Sequence, residues 1–435
     1  MPTFNTVVSY DSIVRPFADR NQLLARTHEA AQRVIADPAR AVWRMEQFAA
    51  GLDALQKAAQ APRVLHTPRD PMGALLQTHL ARQGAKENKL EEFLLHAIEG
   101  VKEFFEVRFS PQDWVGWAAS FFTWIEGIDK AKQPAADAAA AVVPNDFAAG
   151  ILGDWGSGLY GAPVCARSII EDRDPYGMLL HLGDVYYAAT SEEVQDRFFR
   201  FCPHAPGAIN RALNGNHEMY NGGHSYFEEI LPNFEQTSSY FALQNDRWVL
   251  VGLDTSYTAA FGGHEGNIDD KQVEWLHGIV AAAGDRKLVL FSHHQPFTLL
   301  DSNNGGNLFA RLKEFLEAGR VFAWYWGHEH YCVLYDAHPD YGFHGRCIGH
   351  GGIPETRKAL TDLPQSTSFG SQWRRVAARN GAPAAWVYDK ANVYVPGFEE
   401  QFAPHGYLRL EFQGPKIAEF ARTPEGANVW IGDLS

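Results

Sequence analysis

Five short loops constrain this chain more than any other part of its sequence. Each follows an apolar run, and each carries side chains able to bind a metal ion. They are Gly153-Asp154-Trp155-Gly156, Gly183-Asp184-Val185-Tyr186-Tyr187, Gly215-Asn216-His217-Glu218, Ser292-His293-His294 and Gly327-His328-Glu329-His330. Apolar runs at Ala149–Leu152, Met178–Leu182, Trp248–Leu253, Leu288–Phe291 and Val321–Trp326 have the length of buried strands. Helix-forming stretches lie between them, so the pattern from residue 147 onward predicts an α/β fold. In open α/β sheets ligands collect just past the strand ends, where these loops lie.

The chain before residue 147 has a different texture. Residues 1–130 read as an α-helical domain, rich in Ala, Leu, Gln, Glu and Arg from Asn21 to Ala61 and again from Lys86 to Phe109. Ser110-Pro111-Gln112-Asp113 has the form of a helix start, with Ser as N-cap and Pro at the first helical position. The helix that follows places Trp114, Trp117, Phe121, Trp124 and Ile128 on one stripe. Such a stripe reads first as core and only second as an aromatic binding groove. Residues 131–146, Ala-rich with Pro134 and Pro144, read as a linker. Residues 147–435 form the catalytic domain in this division. It closes with a hairpin-like pair, Tyr407–Phe412 and Ile417–Ala421, around Gly414-Pro415.

Composition removes several function classes. The 435 residues are 46% hydrophobic, enough for a large core, and carry a net charge of −14. An acidic chain without a basic, aromatic-interleaved patch argues against nucleic acid as partner. A small phosphate ester remains compatible, because bound cations would dominate the local field. The four cysteines form no C-x-x-C pair, so no thiol zinc site or redox dithiol is signalled. No signal-peptide h-region and no transmembrane run are visible, and a cytoplasmic enzyme without membrane contact is the expectation. Homo-oligomer formation stays open.

The loops supply carboxylates, an amide, a phenol and imidazoles, the inventory for two metal ions side by side. Asp184 has two carboxylate oxygens and can bridge two cations. A phenolate from Tyr187 favours a hard, highly charged ion such as iron(III). His328 and His330 are two residues apart and would point the same way on an extended backbone. His294 is a candidate for the substrate mouth or for a supporting hydrogen bond. His224 and His350, in glycine loops, are candidates for substrate contact.

On these motifs the chain resembles the calcineurin-like metallophosphoesterases, and most closely their purple acid phosphatase branch. The resemblance rests on Gly-Asp-Trp-Gly and Gly-Asp-x-x-Tyr and covers roughly residues 148–425. It implies a four-layer α/β/β/α sandwich, here with an additional N-terminal helical domain. It implies that Asp154, Asp184, Tyr187 and His330 hold one metal, and that Asp184, Asn216, His293 and His328 hold the other. Iron(III) would sit at the Tyr187 site, with iron(II), zinc or manganese beside it. His217 would contact phosphate or protonate the leaving oxygen, and Glu218 stands where many members have Asp, able to hold the His217 imidazole. The implied activity is hydrolysis of phosphate monoesters or diesters by a hydroxide made at the metals. The alternative is a metal-binding regulatory or scaffold protein whose helical domain binds a partner.

Overall fold

In the computed structural model, the residues described are 6–7, 20–58, 70–87, 105–106, 114–203, 205, 207–260, 265–300, 306–361, 363, 365–369, 372–395 and 397–434. The apolar runs form strands, and the strands form two sheets. The first sheet is built on three parallel strands, β1 (Phe147–Leu152), β2 (Met178–His181) and β3 (Ile209–Ala212). The second is built on β4 (Phe241–Gln244), β5 (Trp248–Leu253), β6 (Lys287–Ser292), β7 (Val321–Trp326), β8 (Cys332–Ala337) and β9 (His344–Ile348). Its centre, β5-β6-β7-β9, is parallel, and β4 and β8 run antiparallel beside it. Strands covered on both faces need apolar residues at successive positions, which is why these runs do not alternate.

Register aligns the strand ends. Leu152 pairs with His181 and His181 with Ala212, so the loops carrying Asp154, Asp184 and Asn216 leave the first sheet side by side. In the second sheet Leu253 pairs with Ser292, Ser292 with Trp326, and Trp326 with Cys347. The loops carrying His293 and His328 therefore leave together as well.

The sheets face each other across a core that includes Ile151 and Leu180 from one and Leu250, Phe291 and Tyr325 from the other. Helix α5 (Ala162–Ile170) packs on the outer face of the first sheet. Helices α7 (Asp270–Ala283) and α8 (Gly306–Glu317) pack on the outer face of the second. Helix α6 is the short segment Asn216–Tyr220. The layers are therefore α/β/β/α. The C-terminal strands Tyr407–Gln413 and Lys416–Arg422 pair antiparallel, the first against β1. A third strand, Asn428–Leu434, extends that sheet beyond the hairpin read from the sequence.

Ahead of the sandwich lie helices α1 (Arg20–Val34), α2 (Pro38–Ala58), α3 (Pro71–Glu87) and α4 (Trp114–Glu126). The stripe of α4 is core, with Trp114, Trp117 and Phe121 buried among α1, α2 and α3. Phe105–Glu106, expected in a helix, is instead a two-residue strand pairing with Thr6–Val7. The expected helix start Ser110–Asp113 lies outside the described residues. The segment read as a linker is pinned to the sandwich. Ala131 N–H donates to the Gly222 carbonyl at 2.9 Å, Gln133 donates to Asp254 at 2.7 Å, and Ala141–Val142 pairs with β4.

One buried ion pair ties the sheets together. Arg346 on β9 donates twice to Glu419 of the first sheet, at 3.0 and 2.8 Å, and the Tyr325 hydroxyl donates to the same carboxylate at 2.8 Å. Breaking such a pair strands a buried charge, whereas replacing both partners with apolar groups is close to neutral. Glu419→Ala should therefore lower unfolding free energy by about 3–5 kcal/mol in denaturant titration. Arg346→Met with Glu419→Leu should recover most of that loss.

Candidate metal centre

The ligand loops are held in unusual backbone. Asp154, Asp184, His328 and His330 have φ of 55°, 74°, 69° and 59°. L residues seldom adopt these values, and such strain gathers at functional sites. The pair His328/His330 is thus not extended, and its two imidazoles go to different partners. Glycines make room for the carboxylates. A Cβ on Gly215 would meet Asp184 Oδ1 at 2.0 Å, and one on Gly327 would meet Asp154 Oδ2 at 2.5 Å.

Two buried groups result. In the first, the ligand atoms of Asp154, Asp184 and His330 lie within 4.8 Å of one another. His330 Nε2 is 3.4 Å from Asp154 Oδ1, and the His328 main-chain N–H donates to Asp154 at 2.9 Å. In the second, His293 Nε2 and His328 Nδ1 each stand 3.0 Å from Asn216 Oδ1 and 3.1 Å from one another. Asp184 touches both groups, since its Oδ1 is 3.4 Å from His293 Nε2.

The phenol at this centre belongs to Tyr186. Its hydroxyl is 2.9 Å from His330 Nε2 and donates to Asp184 Oδ2 at 3.2 Å. Tyr187, which the resemblance places as a ligand, has its ring under the Arg197 guanidinium at 5.1 Å and beside the helical module. The Tyr187 carbonyl has a role of its own: it accepts from His217 Nδ1 at 2.6 Å. A carbonyl can only accept, so Nδ1 carries hydrogen and Nε2, 4.0 Å from Asp184 Oδ2, is the nitrogen that takes up or gives a proton. The Tyr186 ring stacks on this imidazole at 3.6 Å.

Glu218 does not hold His217. Its carboxylate instead accepts from the main-chain N–H groups of Asp184 at 3.1 Å, Val185 at 2.8 Å and Gly215 at 2.7 Å. It thereby locks the Asp184 loop to the Asn216 loop. Glu193 acts alike on the next segment, accepting from Tyr187, Ala188 and Thr190 N–H and from the Thr78 hydroxyl of α3 at 3.0 Å.

The three further histidines part company. His294 is buried beside the second group, and its Nδ1 is 3.0 Å from the Thr255 hydroxyl. His224 uses its ring nitrogens on Asp129, at 3.0 Å, and Glu228, at 3.2 Å, in a half-buried surface pairing. His350 is buried, and its carbonyl accepts from His405 Nδ1 at 3.2 Å. Sequence reasoning passed over Tyr186, although it stood in the quoted motif. It also passed over Glu355, whose carboxylate is 3.4 Å from His330 Nδ1 and belongs to no motif.

Electrostatics suit a cation. Burial, together with the charge of Asp154, pushes the Asp184 carboxyl up to about 8. Burial and Asp184 push Glu218 up to about 7. Among the described residues no lysine or arginine hydrogen-bonds Asp154 or Asp184, and a bound cation would favour the ionised form of the raised Asp184 carboxyl. Mixed carboxylate, amide and imidazole donors suit divalent or trivalent transition metals.

Residues 149–332 match the sequence profile of a family described as calcineurin-like phosphoesterase. They form a calcineurin-like phosphoesterase domain. With this domain the chain is a metal-dependent phosphoric ester hydrolase. No curated protein matches the chain in sequence. Among solved structures it is similar to an anchor protein of the inner membrane complex of Plasmodium, at 12% identity and TM-score 0.46, over 67% of this chain and 89% of that one. It is similar to a purple acid phosphatase from yellow lupin, at 14% identity and TM-score 0.44, over 67% of this chain and 55% of that one. A dimetal phosphatase from Danio rerio gives 11% identity and TM-score 0.41, over 66% of this chain and 98% of that one. No helix among the described residues is long and apolar enough to cross a membrane.

Two further histidines of the sandwich, His350 and His405, are buried. Burial and the neighbouring His405 push His350 down to about 3, and burial pushes His405 down to about 4. Both rings stay neutral in the fold, while the unfolded chain takes up protons near the ordinary value of 6.5. Stability from these rings is full above that value and is lost as pH falls toward 4. Between pH 7 and 5 each should cost up to about 2 kcal/mol, and His405→Gln should flatten the measured slope by up to about one proton. An unchanged slope would show that His405 is not neutral and buried.

Proposed function

We propose that this chain hydrolyses small phosphate esters, monoesters or diesters, at a centre of two metal ions that share Asp184. One observation carries the reading: six donor residues from loops of two sheets converge in two buried groups with a common carboxylate. Asp154, Asp184 and His330 would hold the first ion, with the Tyr186 phenol beside them. Asp184, Asn216, His293 and His328 would hold the second. Two such ions supply charge for the phosphoryl oxygens and acidify water. The chain supplies the rest. Glu218 and Glu193 fix the loops, burial keeps bulk water out, and His217 presents Nε2 as proton donor to the leaving oxygen. The apolar stripe of α4 is buried inside the helical module, which counts against a scaffold that uses that stripe for a partner.

The test is metal analysis with hydrolysis of p-nitrophenyl phosphate and bis-p-nitrophenyl phosphate, with Fe, Mn and Zn each supplied. Two metal equivalents per chain and hydrolysis abolished by chelator are expected, and the ratio of the two rates assigns monoester or diester preference. His217→Ala should lower kcat roughly 100-fold or more while leaving metal content intact. Two bound metals with no hydrolysis of either ester would overturn the reading.

The metal pair is tested by colour. A phenolate on iron(III) gives a visible charge-transfer band, and we assign that role to Tyr186, whose hydroxyl is 2.9 Å from His330 Nε2. Tyr186→Phe should lose the band of the iron-loaded protein and Tyr187→Phe should keep it. The reverse result would return the phenolate to Tyr187.

A further inference from the structure

The second group contains one imidazole more than the four donors assigned to it. A ring nitrogen of His294 lies within 4.8 Å of ligand nitrogens of His293 and His328. The His294 ring is 4.9 Å from that of His293 and 4.7 Å from that of His328, and it is fully buried. Its surroundings fix it closely. A Cβ on Gly266 would meet His294 Cβ at 2.6 Å, and Asn267 N–H donates to the Thr255 carbonyl at 2.9 Å.

Thr255 sets the tautomer. Its buried hydroxyl oxygen accepts from the His294 main-chain N–H at 3.1 Å. The same oxygen is 3.0 Å from His294 Nδ1, so its own hydrogen is within reach of that nitrogen. Ser256, 3.5 Å from the same nitrogen, gives its own hydrogen to the Asn214 carbonyl at 3.1 Å. With the Thr255 hydrogen given to Nδ1, Nε2 carries the imidazole hydrogen. A protonated nitrogen cannot ligate a metal, but it can donate to an anionic oxygen.

We propose that His294 is a substrate-binding residue that donates Nε2–H to a phosphoryl oxygen on the side of the second metal, with Thr255 as its positioning residue. The proposal rests on the phosphoesterase reading. It places a second imidazole donor at the site besides His217. The Thr255 hydroxyl does for His294 what the Tyr187 carbonyl does for His217, but it fixes the opposite tautomer.

The experiment uses the full chain loaded with metal, and inorganic phosphate as probe. Metal content is measured by elemental analysis and phosphate affinity by calorimetry. His294→Ala should keep two metal equivalents and weaken phosphate binding roughly 10- to 100-fold. His294→Gln, which retains an N–H donor, should lose less. Thr255→Val should weaken phosphate binding in the same direction with metal content unchanged. Loss of one metal equivalent in His294→Ala or His294→Gln would make the residue a ligand and overturn the proposal. Unchanged phosphate affinity in His294→Ala would overturn it too. A metal-loaded wild-type protein that binds phosphate but cleaves no ester would sink the hydrolase reading while leaving the His294 result interpretable as phosphate binding.

Discussion

The buried Asp184 carboxylate, set against Asp154, organises this molecule: burial and that neighbour push its carboxyl up to about 8. Asp154 and Asp184 leave adjacent parallel strands in register, and their loops are tied by main-chain bonds, Gly156 N–H to the Asp184 carbonyl at 3.0 Å and Tyr186 N–H to the Gly156 carbonyl at 2.9 Å. The backbone at both is left-handed, and neighbouring glycines leave space where a side chain would collide. A fold selected for stability alone would not place like charges there. A bound cation would offset the burial and the Asp154 charge that raise the Asp184 carboxyl.

Around that pair, several acceptors serve main-chain donors rather than catalysis. Glu218 takes three N–H groups and Glu193 another three, so each carboxylate replaces a missing secondary-structure ladder in a loop. Glu193 also joins the helical module to the centre. Thr78 donates to Glu193, Glu193 accepts from Tyr187 N–H, and the Tyr187 carbonyl holds His217. The helical module is thus three hydrogen bonds from the His217 imidazole. Its apolar faces close over Tyr186, Tyr187 and Tyr220 in one core.

The sequence made the sheets and the ligand loops legible because strand ends in α/β proteins are marked by abrupt changes from apolar runs to Gly and polar residues. It made side-chain direction less legible. Tyr186 and Tyr187 are adjacent, and only the path of the loop decides which phenol reaches Asp184 and which meets Arg197. Glu218 looked like a partner for its neighbour His217, but its longer arm reaches the backbone of another strand's loop. His330 depends on Glu355, 25 residues away, a pairing that carries no local pattern. His224 sat in a suggestive glycine loop, yet an acidic neighbour on either side satisfies it. Contacts set by tertiary path escape a reading based on local period and motif.

The centre also depends on how the two sheets lie against each other. Each group takes carboxylate or amide from loops of the first sheet and imidazole from loops of the second. Asp154 and Asp184 meet His330 in one group, and Asn216 meets His293 and His328 in the other. A slide of one sheet by a residue would separate every donor set at once, because all of them sit at strand ends. The Arg346–Glu419 pair and the Tyr325 hydroxyl span the same interface, within the core rather than at the loops. A directional polar link inside an otherwise apolar interface fixes one register among those that hydrophobic packing alone would tolerate. The ion pair therefore supports the metal centre at a distance, as part of what sets the spacing between the carboxylate loops and the imidazole loops.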